Sequence, residues 1–299
     1  MPRLELEITE ALDGRTVRSL LRGELGLSAG CVGRLKRAEG GITVGGVRVF
    51  TNAVLQTGDT LTVDLDAAER PTAVEPVPME LDITFEDEHL LILNKSAPLA
   101  VIPSSLSPGE PTLAGGLAHY LGPGFSFHPV NRLDRGTTGL MAVAKTGCVH
   151  EWLQRQLHSG DFFRQYLAVC TGTPVPWEGT IELPIGRVPG SVIARQVDSG
   201  GQSALTEYRV LEAGGSFSLV ELTPHTGRTH QLRVHMAALG CPLAGDWLYG
   251  TEEADLIPRP ALHAARLELR HPVTGERLSL EASLPQDMKK ILERFICPS

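Results

Sequence analysis

The sequence predicts an α+β protein of two unequal domains, a small one followed by a larger body built on a mixed, largely antiparallel sheet. Three observations predict it. At 299 residues the chain is longer than a usual single domain. Residues 67–79, AAERPTAVEPVPM, hold three prolines and no hydrophobic period, the composition of an extended linker. Beyond them strand-like runs dominate and do not alternate regularly with helices, which argues against a doubly wound sheet. The predicted organisation is therefore a domain over 1–66, a linker over 67–79 and a second domain over 80–299.

The elements follow in chain order. An alternating, strand-like opening precedes Arg15 to Gly26, where Val17, Leu20, Leu21 and Leu25 recur at helical spacing. Ser28 is a candidate cap for a second short helix reaching Arg37. Ile42–Val44 and Val47–Val49 flank Gly45-Gly46 and read as a tight hairpin, and Gly58-Asp59 turns into a strand over 60–65. Two basic helices and a small sheet in about sixty residues make a binding module rather than an enzyme core. In the second domain, strands are expected over 81–85, 90–94, 140–144, 163–170, 205–210, 218–223 and 262–269. Helices are expected over 113–121, 147–157, 229–239 and 286–296, with Thr226 or Thr229 capping the third of these.

Composition narrows the function classes. No run is long enough to span a bilayer, and the N-terminus lacks a basic start and an apolar run, so the expected compartment is the cytoplasm. The five cysteines are scattered and form no C-x-x-C pair; they are expected to be small buried hydrophobes, with neither a disulfide framework nor a zinc knuckle. The net charge of -8 weighs against nucleic acid, but its distribution does not. Between Ala11 and Phe50 stand seven basic residues (Arg15, Arg18, Arg22, Arg34, Lys36, Arg37, Arg48) against three acidic ones, a local balance of +4. A dimer seam is nowhere evident, and a monomer is expected.

Three segments could carry chemistry. In Asn131-Arg132-Leu133-Asp134-Arg135-Gly136 an aspartate lies between two arginines, ahead of a glycine-rich turn. Flanking arginines would keep it ionised as a nucleophile or base, and a surface ion-pair turn is the alternative. The segment from Thr223 to His235 opens a helix with Arg228, His230, Gln231 and Arg233, a polar start suited to a phosphate or carboxylate. Its histidines at 225, 230 and 235 recur at intervals of five, which fits no zinc-helix pattern, so no metal is expected. The third is Tyr166, sharing one face of a strand with Arg164; packing is the usual role of such a tyrosine.

In this order the three segments resemble the signatures of the RluA family of pseudouridine synthases: H-R-L-D-R-x-T-S-G-L, K-x-Y, and T-G-R-T-H-Q-I/L-R-V-H followed by G-D-x-x-Y-G. The last stands here as Gly245-Asp246-Trp247-Leu248-Tyr249-Gly250. The likeness takes in Phe85–His89 and Leu93–Lys95 and covers residues 80–296. The first domain resembles an S4 RNA-binding domain in Arg34-Leu35-Lys36-Arg37, the hairpin and Gly58-Asp59. Departures are Asn131 for His, Thr138 for Ser, Arg164 for Lys, and Lys95-Ser96-Ala97-Pro98 for K-P-A-G.

The resemblance implies a pseudouridine-synthase type of fold and the isomerisation of specific uridines in structured RNA, ribosomal or transfer. It implies Asp134 as nucleophile on a flipped-out uridine. Tyr166 would pack on the base or take its proton, and Arg233 would pair with Asp134. Arg132 and Arg228 would assist; Arg135, His230 and Gln231, with Arg34, Lys36 and Arg37 of the first domain, would contact RNA. No cofactor is expected, because the reaction changes no oxidation state. The alternative is a catalytically silent RNA-binding or ribosome-assembly factor, which the S4-like module would suit equally.

Overall fold

A computed structural model describes residues 3–67, 69–105 and 107–296. The first stretch forms β1 (Arg3–Glu7), α1 (Val17–Arg22), α2 (Ala29–Leu35), β2 (Ile42–Val44), β3 (Val47–Arg48) and β4 (Thr60–Asp64), the strands lying in the order β1-β4-β2-β3. Each feature follows from local chemistry. The Thr16 and Ser28 side chains accept hydrogen bonds from the Ser19 and Cys31 N–H groups and so cap the two helices. Gly45 and Gly46 both have positive φ, 54° and 82°, the backbone that a two-residue hairpin requires. The first helix stops short of the predicted Gly26. There the chain folds back at Gly26 (φ 59°), and Leu25 and Leu27 N–H donate to the carbonyls of Leu20 and Leu21.

Residues 69–82 contain no helix or strand, yet are pinned to the body. Ser126 Oγ donates to the Arg70 carbonyl at 2.6 Å, and Val77 N–H to that of Gly115 at 3.0 Å. The body then supplies β5 (Ile83–Glu86), β6 (Leu90–Lys95), α3 (Leu113–Leu121), β7 (His128–Pro129), β8 (Thr138–Ala144), α4 (Gly147–Ser159) and β9 (Phe163–Thr171). After these come β10 (Glu178–Glu182), β11 (Ile185–Arg187), β12 (Arg195–Val197), β13 (Leu205–Gly214) and β14 (Phe217–Pro224). The chain closes with α5 (Gln231–Ala238), β15 (Leu262–Arg270), β16 (Arg277–Glu281) and α6 (Gln286–Ile291). The main sheet runs β10-β13-β14-β9-β15-β8-β6-β5, with β16 beside β15 and β7 beside β8; β11 and β12 pair separately. Its strands pair antiparallel except β15 with β8, so the expected mixed, largely antiparallel sheet is what the chain forms.

Strands β6 and β8 are buried on both faces, and period-2 alternation divides their side chains between two cores. Leu90, Ile92, Leu140, Ala142 and Ala144 face one; Leu91, Leu93, Met141 and Val143 face the other. The first core is continuous with the N-terminal stretch: Val17, Leu20, Leu35 and Leu61 share it with Val149 and Leu153 of α4. Polar contacts reinforce the junction. Arg34 meets Glu151 at 3.2 Å, and Trp152 Nε1 and the Arg155 guanidinium both donate to the Gly26 carbonyl.

At this junction Cys31 of α2 and Cys148 of α4 form a disulfide, 117 residues apart in sequence with Cα atoms 5.8 Å apart. This corrects the expectation of five unpaired cysteines. Sequence spacing could not reveal it, because the partners come from two helices that meet only in the folded chain. Cys170 and Cys241 are free and buried; Cys297 lies outside the described residues. Alkylation of the denatured, unreduced protein followed by peptide mapping should leave Cys31 and Cys148 unlabelled and linked. Labelling of both would show the pair to be a dithiol.

Candidate active site

A cleft of about 860 Å³ opens where the β7–β8 loop, β9, the start of α5 and one side of α4 meet. Asp134 sits in the β7–β8 loop, closed by Thr137 N–H donating to the Asp134 carbonyl at 3.0 Å. At Gly139 the loop becomes strand with φ 110°, and a side-chain carbon there would lie 2.6 Å from the Ala264 backbone nitrogen. Only glycine allows β8 to approach β15 so closely, and that approach sets where the aspartate emerges. Asn131, the residue in place of the family's histidine, is buried and accepts from Ala142 N–H at 2.8 Å, tying the loop to β8.

Beneath the loop lies Lys95, 1% exposed. Its ammonium donates to the carbonyls of Ser96 (2.8 Å), Leu99 (2.9 Å) and Arg135 (3.4 Å). The family resemblance includes this lysine without giving it a role; its signal in the sequence is a lysine closing an apolar strand and running into Ser-Ala-Pro. Burial lowers its pKa to about 7, against the opposing charge of Asp134.

The nitrogen groups that face Asp134 come from α5 and its cap residue. Arg233 Nη1 lies 3.7 Å and His230 Nε2 3.9 Å from Asp134 Oδ2. Arg233 is itself held by a two-pronged bond to Asp246, both distances 2.7 Å, with both side chains buried. Gly245 (φ 69°) makes the turn that brings Asp246 in, and Asp246 Oδ1 also accepts from the Leu248 and Tyr249 N–H groups. Tyr249 places its ring under the Arg233 guanidinium, 4.9 Å from the centroid, and its hydroxyl 2.7 Å from His230 Nδ1. In the sequence Asp246 and Tyr249 stand out only as part of a motif.

Tyr166 of β9 is buried in the cleft wall with Arg164 beside it, as strand alternation predicts. Burial pushes its pKa up, with the Arg164 charge opposing and Asp134 adding. The other predicted residues divide. Arg132 is exposed on the cleft rim, and Arg228 lines it with Nε donating to the Ser203 carbonyl at 3.0 Å. Arg135 turns away to Glu110 at 2.9 Å, so the expected embrace of Asp134 by its own neighbours does not occur. Consecutive loop residues point in different directions, and Arg233, the partner that the resemblance implies, is the arginine that faces Asp134.

Gln231 lines the cleft but is buried, with its amide engaged within the protein: Nε2 donates to the Leu205 carbonyl and Thr206 Oγ1, and Oε1 accepts from Thr226 Oγ1 and Arg228 N–H. It fastens the approach to α5, and the helix cap is His230 (φ 58°), not Thr226 or Thr229. The three histidines diverge: His225 meets Glu207, His230 meets Tyr249, and His235 is buried against Thr206 and Leu183. Among the described residues no group of three or more His, Cys, Asp or Glu side chains could hold a metal ion. No helix among them is long and apolar enough to cross a membrane.

In the N-terminal stretch, Lys36 and Arg37 are exposed while Arg34 is occupied by Glu151. Arg34 and Arg37 line a second cleft, about 900 Å³, with Arg70, His128 and His150 across the junction.

Comparison with known proteins places this arrangement. The family described as RNA pseudouridylate synthase matches residues 89–238. A protein named as the uncharacterised RNA pseudouridine synthase YjbO of Bacillus subtilis is 40% identical over 273 residues, 91% of this chain and 96% of its own. The ribosomal large subunit pseudouridine synthase D of Neisseria meningitidis is 41% identical over 251 residues, 79% of this chain and 66% of that one. Among solved structures, human RNA pseudouridylate synthase domain containing 1 is similar, with a TM-score of 0.57 and 30% identity over 72% of this chain and 86% of that one.

The buried Lys95 makes stability depend on pH. Its folded pKa, about 7, lies below the ordinary 10.5, so the unfolded chain binds the extra proton between those values and stability rises with pH across that window. Thermal melts of the wild type and Lys95→Met at pH 6.5, 8 and 9.5 should show the difference moving in favour of the wild type as pH increases. A gap independent of pH would mean that Lys95 remains charged in the fold.

Proposed function

The chain belongs to the RNA pseudouridine synthase family and isomerises uridine in RNA, and from that premise we propose that Asp134 is the nucleophile, Tyr166 the residue that meets the base, and Arg233 the cation that holds Asp134. The observation that carries this reading is the convergence of three segments, distant in sequence, on one cleft with Asp134 at its centre. In the reaction the N1–C1′ bond breaks, the base turns while held, and C5 bonds to C1′; the C5 proton leaves to water and N1 gains one. Atoms and charge balance without an oxidant or an added group, so no cofactor is required.

The glycosidic bond is inaccessible in a stacked helix, so the uridine is flipped into the cleft. Tyr166, kept neutral by burial, forms a packing surface for the base and lies beside the position where C5 sheds its proton. Arg132 and Arg228 at the rim grip backbone phosphates, and His230 acts from within the cleft. The surface side chain of Arg135 is a further RNA contact.

We assign the N-terminal stretch, 1–66, to RNA binding through Lys36 and Arg37, with Arg34 at the second cleft, and residues 67–79 to the connection. The substrate is a structured RNA, and the relatives named for the ribosomal large subunit favour ribosomal over transfer RNA. The protein acts as a monomer in the cytoplasm. A silent RNA-binding factor would have no use for the arrangement around Asp134.

RNA carrying tritium at uridine C5 tests the assignment. The wild type should release label to water and Asp134→Asn should not, while both bind the RNA; release by the variant would remove Asp134 from its role. The N-terminal stretch shares a core with α4, so charge substitution probes it better than deletion. Lys36→Ala with Arg37→Ala should weaken RNA binding and lower the slope of log affinity against log salt by about 1 for each phosphate no longer gripped. Single-turnover rates at saturating protein should stay near those of the wild type, and an equal loss in both would place these residues in the chemistry.

A further inference from the structure

Asp246 and Tyr249 stand in a motif to which the proposed function gives no role, yet together they contact both groups facing Asp134, Arg233 and His230. Resting on the reading of Asp134 as nucleophile, we propose that Tyr249 is a positioning residue that fixes His230 in its Nε2–H form. Asp134 then meets two N–H donors on one carboxylate oxygen, Oδ2, and offers the other, Oδ1, to the uridine.

The contacts around Tyr249 favour one placement of the protons. The Tyr249 hydroxyl oxygen accepts from the backbone N–H of Arg195 at 2.8 Å and lies 2.7 Å from His230 Nδ1. The hydroxyl has one proton, and among the described residues its only acceptor in reach is Nδ1. If Nδ1 carried a proton instead, two donors would point at the oxygen and the half-buried hydroxyl hydrogen would have to turn to solvent. Among the described residues, every polar hydrogen here finds a protein acceptor only when Tyr249 donates to Nδ1. The neutral imidazole then bears its proton on Nε2, the atom facing Asp134 Oδ2 at 3.9 Å.

Arg233 Nη1 approaches the same oxygen at 3.7 Å, while Oδ1 takes no hydrogen bond among the described residues. Both separations are longer than hydrogen bonds, as catalytic contacts often are before substrate closes the site. Burial lowers the pKa of His230, with Asp134 opposing and the Arg233 charge adding to the fall, which favours the neutral ring.

The backbone supports the same conclusion. His230 is the one non-glycine residue with positive φ among those described, at 58°. That conformation is unfavourable for a side chain of this size and persists where the surroundings impose it. Here the Tyr249 hydroxyl and the cap position of α5 do so, swinging the ring off the helix axis toward the β7–β8 loop.

The tautomer can be read directly. In the full-length protein labelled with 15N-histidine, long-range proton–nitrogen spectra should show His230 with a bare Nδ1 and a protonated Nε2; the opposite pattern overturns the proposal. Tyr249→Phe keeps the ring beneath Arg233 and removes only the hydroxyl. It should let the tautomers mix and lower the single-turnover rate of tritium release about ten- to a hundredfold, the range found where the partner orienting a metal-bound imidazole is removed, with RNA affinity unchanged. An unchanged spectrum or rate would refute it.

Two further variants separate catalysis from folding. The amide nitrogen of His230→Gln mimics Nε2 and that of His230→Asn mimics Nδ1, so Gln should keep more activity. Asn tolerates positive φ better, so it should give the more stable protein. A merely structural role would make Asn the better substitute in both measurements, and that order of activity would sink the idea. If the wild type releases no label at all, the proposed function fails and takes the role at Asp134 with it, while the ring spectra still decide the tautomer.

Discussion

The two-pronged bond between Arg233 and Asp246 is the contact around which the site is arranged. Both side chains are buried, and a charge removed from water must be matched or it costs several kcal/mol. Breaking such a pair by removing one partner typically costs about 3–5 kcal/mol, because the other is left uncompensated. The pair is therefore fixed in place. Arg233 retains one nitrogen, Nη1, for Asp134, and its position is set by Asp246 rather than by the residue it serves. The turn beginning at Gly245 supplies that carboxylate and, three residues later, the Tyr249 phenol, so a single loop braces both groups that face Asp134.

The sheet provides the other half of the geometry. Asp134 is carried by the loop entering β8, Tyr166 by β9, and β15 lies between the two strands. Separation of loop and tyrosine is governed by how closely β8 lies against β15, and Gly139 against Ala264 is the point of nearest approach. That contact falls in the parallel pairing, which spans only two residue pairs, so β8 diverges from β15 soon after the aspartate is placed. Lys95 fills the space below the loop and binds the carbonyls of Ser96, Leu99 and Arg135, the last of which also accepts from Leu99 N–H.

Much of this was legible in the sequence, for reasons that can be named. The hairpin at Gly45-Gly46, the Ser28 cap and α3 over Leu113–Leu121 depend on neighbours within a few residues, and they form where local pattern put them. The long central strands were equally visible from their apolar runs. Short edge strands such as β10, β11, β12 and β16 were not, because their pairing depends on the strand beside them rather than on their own composition. The disulfide and the direction of Arg135 were hidden for the same reason. In the site, the residues alone pointed to the arginines beside Asp134, and the resemblance to Arg233; the fold brings Asp134 to Arg233 and also to His230, about a hundred residues further along, a contact that no local pattern shows.

The arginines around Asp134 divide accordingly. An arginine adjacent to the proposed nucleophile and free to swing onto it would compete with substrate for the same carboxylate oxygen. Here Arg135 is drawn off by Glu110 and Arg132 lies at the rim, while Arg233 of α5 and its cap residue His230 approach a single oxygen of Asp134. The loop's own arginines are left at the surface, where a phosphate backbone would arrive, and those of α5 remain behind the carboxylate. On the proposed reading, the charge that holds Asp134 and the loop charge that would meet RNA come from different elements, so RNA would enter or leave the rim without disturbing the pair that holds Arg233.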